Sequence, residues 1–167
     1  MQVEDAIGQW SDFYVAATGA SAVLLGLVFV GLSIHFDRSR RGLPVRGLAI
    51  EAATSLFYPL IISLAMLIPE GRPQAQAVLL TTIAVFGFWA SGAAFLEARR
   101  RRPQPIALVL RFLVPWLAMV VLAVAGLGLA LTWAPALWLV AAVVFVHLTV
   151  GTQNAWDLLL GAAPPER

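Results

Sequence analysis

The sequence predicts an all-α, polytopic membrane protein with five transmembrane helices, its N-terminus outside and its C-terminus inside. Three observations predict it. Hydrophobic residues make up 60% of the chain and charged residues only 12%, with a mean hydropathy of +0.86, whereas soluble domains are nearer half apolar and a quarter charged. Apolar runs of about 20 residues, the length a ~30 Å hydrocarbon core requires, recur between short polar breaks. The basic residues, all of them arginine, gather in alternate breaks, and such loops are retained on the cytoplasmic side.

Residues 1 to 12, MQVEDAIGQWSD, carry Glu4, Asp5 and Asp12 and no basic side chain, so the positive n-region of a cleavable signal peptide is missing and the apolar run that follows reads as a mature span. Val3, Ile7, Trp10 and Tyr14 recur at helical spacing. This segment therefore reads either as a short amphipathic helix at the headgroups or as a frayed terminus. The first span runs from about 13 to 36 and ends in a loop holding Arg38, Arg40, Arg41 and Arg46. The second, about 45 to 68, carries Pro59, where a bend is expected. PEGRPQAQ is a tight external turn with two prolines and a glycine. The third span, about 77 to 98, meets the run Arg99, Arg100, Arg101 and Arg102, a second cytoplasmic loop that agrees with the first. The fourth, about 106 to 133, contains Pro115, and the fifth occupies about 136 to 160. Residues 1–167 thus form a single transmembrane domain.

Lipid tails give helices no hydrophobic reason to associate, so small residues that let backbones approach closely take on that role. Thr18, Ala22 and Gly26 share one face of the first span. Gly87 and Ser91 do so on the third, and Gly126 lies in a similar series on the fourth. These faces serve either packing within one subunit or association between copies of the chain. The surplus of such faces beside so little extramembrane mass predicts a homo-oligomer.

Ionisable groups at membrane depth are functional candidates once their depth is known. His35, Glu51, Arg111 and Gln153, with Glu97, Asn154 and Asp157, fall toward the cytoplasmic ends of their helices. They read as an inner polar band in which Glu51 or Asp157 pairs with Arg111. His147 is deeper: eleven residues into the fifth span, at 1.5 Å each, is ~16 Å, near the midplane. With Asn154 and Asp157 it forms a polar stripe. The stripe either lines a solute path, with His147 as gate or proton carrier, or is packed, with His147 donating to a carbonyl of another helix.

Other chemistries are excluded by what is missing or misplaced. The chain has no cysteine, hence no disulfide framework, thiol nucleophile or cysteine metal site. His35 and His147 lie roughly 15 Å apart along the membrane normal, too far for one bis-histidine haem. There is no G-x-S-x-G turn, H-E-x-x-H zinc motif or phosphate-binding glycine pattern. No catalytic residue, cofactor, metal or nucleic-acid partner is expected, and the protein reads as non-enzymatic.

The aromatic pair Phe13 and Tyr14, followed by VAATGASA, LLGLVFVGLSI and an arginine-rich loop, resembles the opening of a group of small bacterial membrane proteins of actinobacterial type, some labelled as modulators of a membrane-bound protease. The resemblance covers about the first third of the chain. It implies the membrane class and supplies no catalytic motif. The expected function is that of a homo-oligomeric channel or transporter for a small solute or ion in a bacterial cytoplasmic membrane. The alternative is an accessory or scaffold subunit that binds another membrane protein or lipid.

Overall fold

The computed structural model describes residues 3–34, 43–68, 72–101 and 106–161, with side chains described over 6–33, 52–68, 72–92 and 113–157. Six helices account for nearly all of them: α1 (Val3–Gln9), α2 (Ser11–Ile34), α3 (Leu43–Met66), α4 (Pro73–Arg101), α5 (Ile106–Ala130) and α6 (Ala136–Gly161). Four of these, α2, α4, α5 and α6, are long and apolar enough to cross a membrane. The described side chains of α3 add a shorter apolar stretch, Ala52–Met66. Large apolar side chains point outward along the whole bundle, among them Phe29, Phe86, Trp89, Leu127 and Phe145. Such a surface is stable against acyl chains and not against water.

The N-terminal segment is helical, and Trp10 forms the single-residue turn from α1 into α2, with its N–H donating to Ile7 O at 3.1 Å and its carbonyl accepting from Tyr14 N at 3.1 Å. Trp10 packs edge-on against Trp138 of α6, ring centroids 4.7 Å apart, and Phe13 lies 5.5 Å from Phe145. The start of α2 is thereby held beside the start of α6. Pro73 opens α4, where its missing N–H would have had no helical acceptor in any case, and Gln76 Nε2 donates back to Met66 O at 3.2 Å, closing the end of α3.

The turn from α5 to α6 is set by local chemistry. Trp133 N donates to Gly128 O at 2.8 Å and Thr132 N to Leu129 O at 3.0 Å, the pair of bonds that satisfies the last carbonyls of a helix. This needs a left-handed residue, and Thr132 supplies it with φ of 56°, a strained choice for a β-branched side chain. Gly128 makes room for the returning indole: a methyl there would lie 2.8 Å from Trp133 Cε3.

Helices α3 to α6 form a four-helix bundle in which α4 packs on α5, α5 on α6 and α6 on α3, with a slighter contact between α3 and α4; α2 lies outside it against α3. One end of the bundle holds the starts of α2, α4 and α6 and is called here the Gln76 end; the other is the Arg101 end. Glycines mark the close approaches. A methyl at Gly126 of α5 would meet Thr81 Oγ1 at 2.5 Å, Ala77 O at 3.2 Å and Thr81 N at 3.3 Å, and one at Gly151 of α6 would meet Leu56 Cδ2 at 2.7 Å and Leu56 N at 3.2 Å. The core between them includes Ile62, Leu80, Leu122, Leu129 and Val140.

On α2 the face turned to α3 is Tyr14, Ala17, Ser21 and Val28, all buried, at the three-and-four spacing of one helix side. Ala22 and Gly26 lie on the open side, and nothing stands within 4 Å of a methyl placed at Gly19 or Gly26. Thr18 is half-buried between the two sides. Gly87 and Gly126 are buried between helices of this one chain, and Ser91 is half-buried.

Candidate functional site

The site is built from the middle of the bundle. α6 turns His147 inward at the point where α3 supplies Tyr58, α4 supplies Gly87 and α5 supplies Met119. The Tyr58 and His147 rings stand edge to face with centroids 5.4 Å apart. A methyl at Gly87 would lie 3.1 Å from Tyr58 Cε1 and 2.6 Å from Met119 Sδ. A side chain there would have to displace the Met119 thioether and press on the Tyr58 ring edge. One residue from each helix of the bundle thus joins a connected group, in which the Tyr58 ring meets the imidazole and Gly87 lies against Tyr58 and Met119; the imidazole is 0% exposed.

His147 Nδ1 lies 3.0 Å from Val143 O, one turn back on its own helix. A carbonyl oxygen accepts and cannot donate, so Nδ1 carries the hydrogen and the neutral ring presents a lone pair at Nε2. The packed alternative for His147 had the bond going to another helix; it stays within α6. Nε2 is buried and makes no hydrogen bond to any described group.

Asn154 follows His147 by seven residues, two helical turns, and so returns to the same face. It is 1% exposed, and neither its amide nitrogen nor its oxygen has a hydrogen-bond partner among the described residues. Each buried polar atom in that condition costs about 1–3 kcal/mol. Three such atoms, His147 Nε2 and the two of the Asn154 amide, lie on one strip of α6.

The stripe expected on the fifth span is divided by the structure. His147 and Asn154 share the interior face with Gly151, whereas Gln153 and Asp157 are exposed. Thr149 and Thr152, also on the outer side, spend their hydroxyls on the Phe145 and Leu148 carbonyls at 2.8 and 2.7 Å. Of the inner polar band, His35 lies outside the described residues, and Glu51 and Arg111 lie in α3 and α5 where side chains are not described.

Sequence reasoning missed Tyr58, whose ring meets the imidazole, and other buried residues of α3 and α5. Ser55 and Tyr58 of α3 are buried and Met119 of α5 is 1% exposed, but in a segment where nearly every residue is apolar no periodicity distinguishes the inward face. Ser55, Tyr58 and Pro59 at spacings of three and four were the available signal. A second set of buried polar atoms was also missed: Tyr14 Oη and Thr18 Oγ1 on α2 and Ser63 Oγ on α3 have no described partner, although Ser21, Ser33 and Thr82 all donate to the carbonyl four residues back. Among the described residues no three metal-ligating side chains come together.

No protein-family model matches the chain, and neither a curated protein nor a solved structure matches it.

Proposed function

We propose that this is a non-enzymatic, homo-oligomeric membrane protein of a bacterial cytoplasmic membrane that passes a small solute or ion, with His147 and Asn154 as its working groups. The observation that carries the reading is the buried centre of the bundle: a titratable ring with an acceptor nitrogen that no described group meets, set against Tyr58 of α3, and followed on the same face by an amide with no described partner. Polar groups in this position are retained where a polar guest visits them.

The proposed topology is five spans, N-terminus outside and C-terminus inside. In support of it, α3 is a continuous helix of 24 residues, ~36 Å long at the α-helical rise and sufficient for the hydrocarbon core. The alternation of helix directions puts Ile34, Leu43, Arg101 and Ile106 at one end, the end toward which both arginine clusters run in the sequence. The proposed association of copies uses the open side of α2 around Ala22 and Gly26.

That same open side favours a second reading, in which the chain is an accessory or scaffold subunit and α2 docks on a different membrane protein. Reconstitution separates the two. Purified protein in sealed liposomes is expected to conduct protons or a common cation or anion, and His147→Ala is expected to abolish the flux. No flux of any of these from about pH 5 to about pH 8, the range in which an imidazole changes charge, would discard the transport reading and leave the scaffold.

A further inference from the structure

Four buried side chains of the bundle leave a polar atom without a described partner, and they fall at three depths. Gln76 of α4 and Ser63 of α3 are each three residues from the Gln76 end of their helices, ~4.5 Å in at the α-helical rise. His147 is eleven residues into α6 and Asn154 eighteen, ~16 Å and ~27 Å in. None of the four is more than 2% exposed. Gln76 Oε1, Ser63 Oγ, His147 Nε2 and both amide atoms of Asn154 have no hydrogen-bond partner among the described residues. Met66 links the first two, since Gln76 Nε2 donates to its carbonyl and Ser63 lies one turn before it on α3.

All four groups are neutral in the hydrogen-bonding described above, and the chain around them brings no charge. Residues 52–68, 73–92 and 113–156 contain no Asp, Glu, Lys or Arg. Of the titratable groups on the helices about His147, α3 supplies Tyr58, a phenol in contact with the ring and uncharged below about pH 10. Residues 73–92 of α4 and 113–130 of α5 supply none, and Asp157 of α6 is exposed. On α2, outside the bundle, Asp12 is exposed and Tyr14 is a second phenol. A metal cation or a halide in this interior would therefore be a buried charge without a counter-charge, the most costly kind of burial.

The helices also stand too close for an ion that keeps its water shell. A methyl at Gly87 would meet Met119 Sδ of α5 at 2.6 Å, one at Gly126 would meet Thr81 Oγ1 of α4 at 2.5 Å, and one at Gly151 would meet Leu56 Cδ2 of α3 at 2.7 Å.

We propose that the ion this protein passes is the proton, carried along the row from Gln76 and Ser63 through His147 to Asn154. The proposal rests on the reading of His147 and Asn154 as working groups and narrows their guest to one ion. A proton needs neither a wide lumen nor a resident counter-charge, because it moves by exchange of covalent bonds. An Nε2–H bond forms as an O–H bond of hydronium breaks, leaving water and an imidazolium whose Nδ1–H stays on Val143 O. That Nε2–H bond then breaks as a water on the other side takes the proton and becomes hydronium. The Ser63 hydroxyl and the Gln76 and Asn154 amides hold the single files of water that lead to the ring and away from it. Each gap in the row is ~11 Å in depth, about three waters at hydrogen-bond spacing.

The test is selectivity in sealed liposomes. With a pH-sensitive dye enclosed and valinomycin balancing charge, the wild type is expected to take up protons down a pH gradient. Uptake should rise as the outside pH falls from about 8 to about 5 and then level off, the range in which an imidazole changes charge. Without valinomycin, no flux of sodium, potassium or chloride is expected. His147→Gln keeps a hydrogen-bonding side chain and loses the titratable ring, and its proton uptake is expected to fall at least about tenfold. Asn154→Leu removes two unpartnered atoms and is expected to fold at least as stably as wild type, so a similar loss there reports the broken row and not a broken fold.

Proton uptake by Asn154→Leu or His147→Gln at the wild-type rate would overturn the proposal. So would passage of sodium, potassium or chloride by the wild type, a result that keeps the transport reading and removes only the choice of ion. No flux of any of the four ions discards both.

Discussion

Gly126→Ala and Gly26→Ala make a matched pair that tests the bundle directly. Both add one methyl to a helix interior, and both gain the same helix propensity, about 1 kcal/mol for glycine to alanine. Their surroundings differ. At Gly26 nothing lies within 4 Å of the new methyl, whereas at Gly126 it would sit 2.5 Å from Thr81 Oγ1 and within 3.3 Å of two backbone atoms, Ala77 O and Thr81 N. The threonine hydroxyl can rotate away, but the backbone of α4 cannot, so α4 and α5 must separate along their most extensive contact. Overpacking of this kind costs about 1–3 kcal/mol. Because the propensity gain cancels between the two variants, the difference in their unfolding free energies, measured by denaturant titration in mixed micelles under conditions that keep the chain monomeric, isolates the packing term. It is expected to be about 1–3 kcal/mol with Gly126→Ala the less stable. Equal stabilities would refute the close approach of α4 and α5.

Four further outcomes follow from the same geometry. Asn154→Leu removes two buried polar atoms that have no described partner and is expected to raise the unfolding midpoint, by about 1–3 kcal/mol of stability; a loss of stability would mean that the amide is hydrogen-bonded. Thr132→Gly relieves a β-branched residue held at φ of 56° and is expected to stabilise by roughly 1–2 kcal/mol, read as a shift in thermal unfolding. Leu122→Ala, at a fully buried position, is expected to cost about 2–5 kcal/mol, while Leu127→Ala, further along the same helix and 60% exposed, should lie within about 0.5 kcal/mol of wild type. A double-mutant cycle on Trp10 and Trp138, whose rings are 4.7 Å apart, is expected to return a coupling of about 0.5–1.5 kcal/mol, and a coupling of zero would detach the start of α2 from α6.

The class of the fold was legible because a bilayer imposes a coarse constraint on sequence: apolar runs of a set length with breakers between them. Val45–Ile68, read as a span from hydropathy, corresponds to α3 at Leu43–Met66, and Pro59 and Pro115 lie inside continuous helices as read. The inward faces were not legible, for the same physical reason. When the solvent is as apolar as the core, hydropathy no longer separates inside from outside. On α2 the small residues Ala17 and Ser21 turn to α3 while Ala22 and Gly26 turn away, and both sets have the spacing of a packing face. Charge and depth carried further: His147 was placed near the midplane by counting residues, and it is buried. Asp157, also assigned to its stripe, is exposed, because ten residues along a helix rotate a side chain by about 80° from the starting face. Tyr58 meets His147 from another helix, and Gly87 and Met119 meet beside Tyr58 from two more, a relation set by crossing geometry that no local pattern records.

The proposed function places its working groups around His147. The most direct measurement is ion flux into sealed liposomes by the wild type beside His147→Phe, a variant that keeps a ring of similar size against Tyr58 and removes both ring nitrogens, the Nε2 acceptor and the Nδ1 donor to Val143 O. Flux is expected in the wild type and none in a folded, oligomeric His147→Phe. Equal flux in both would contradict it.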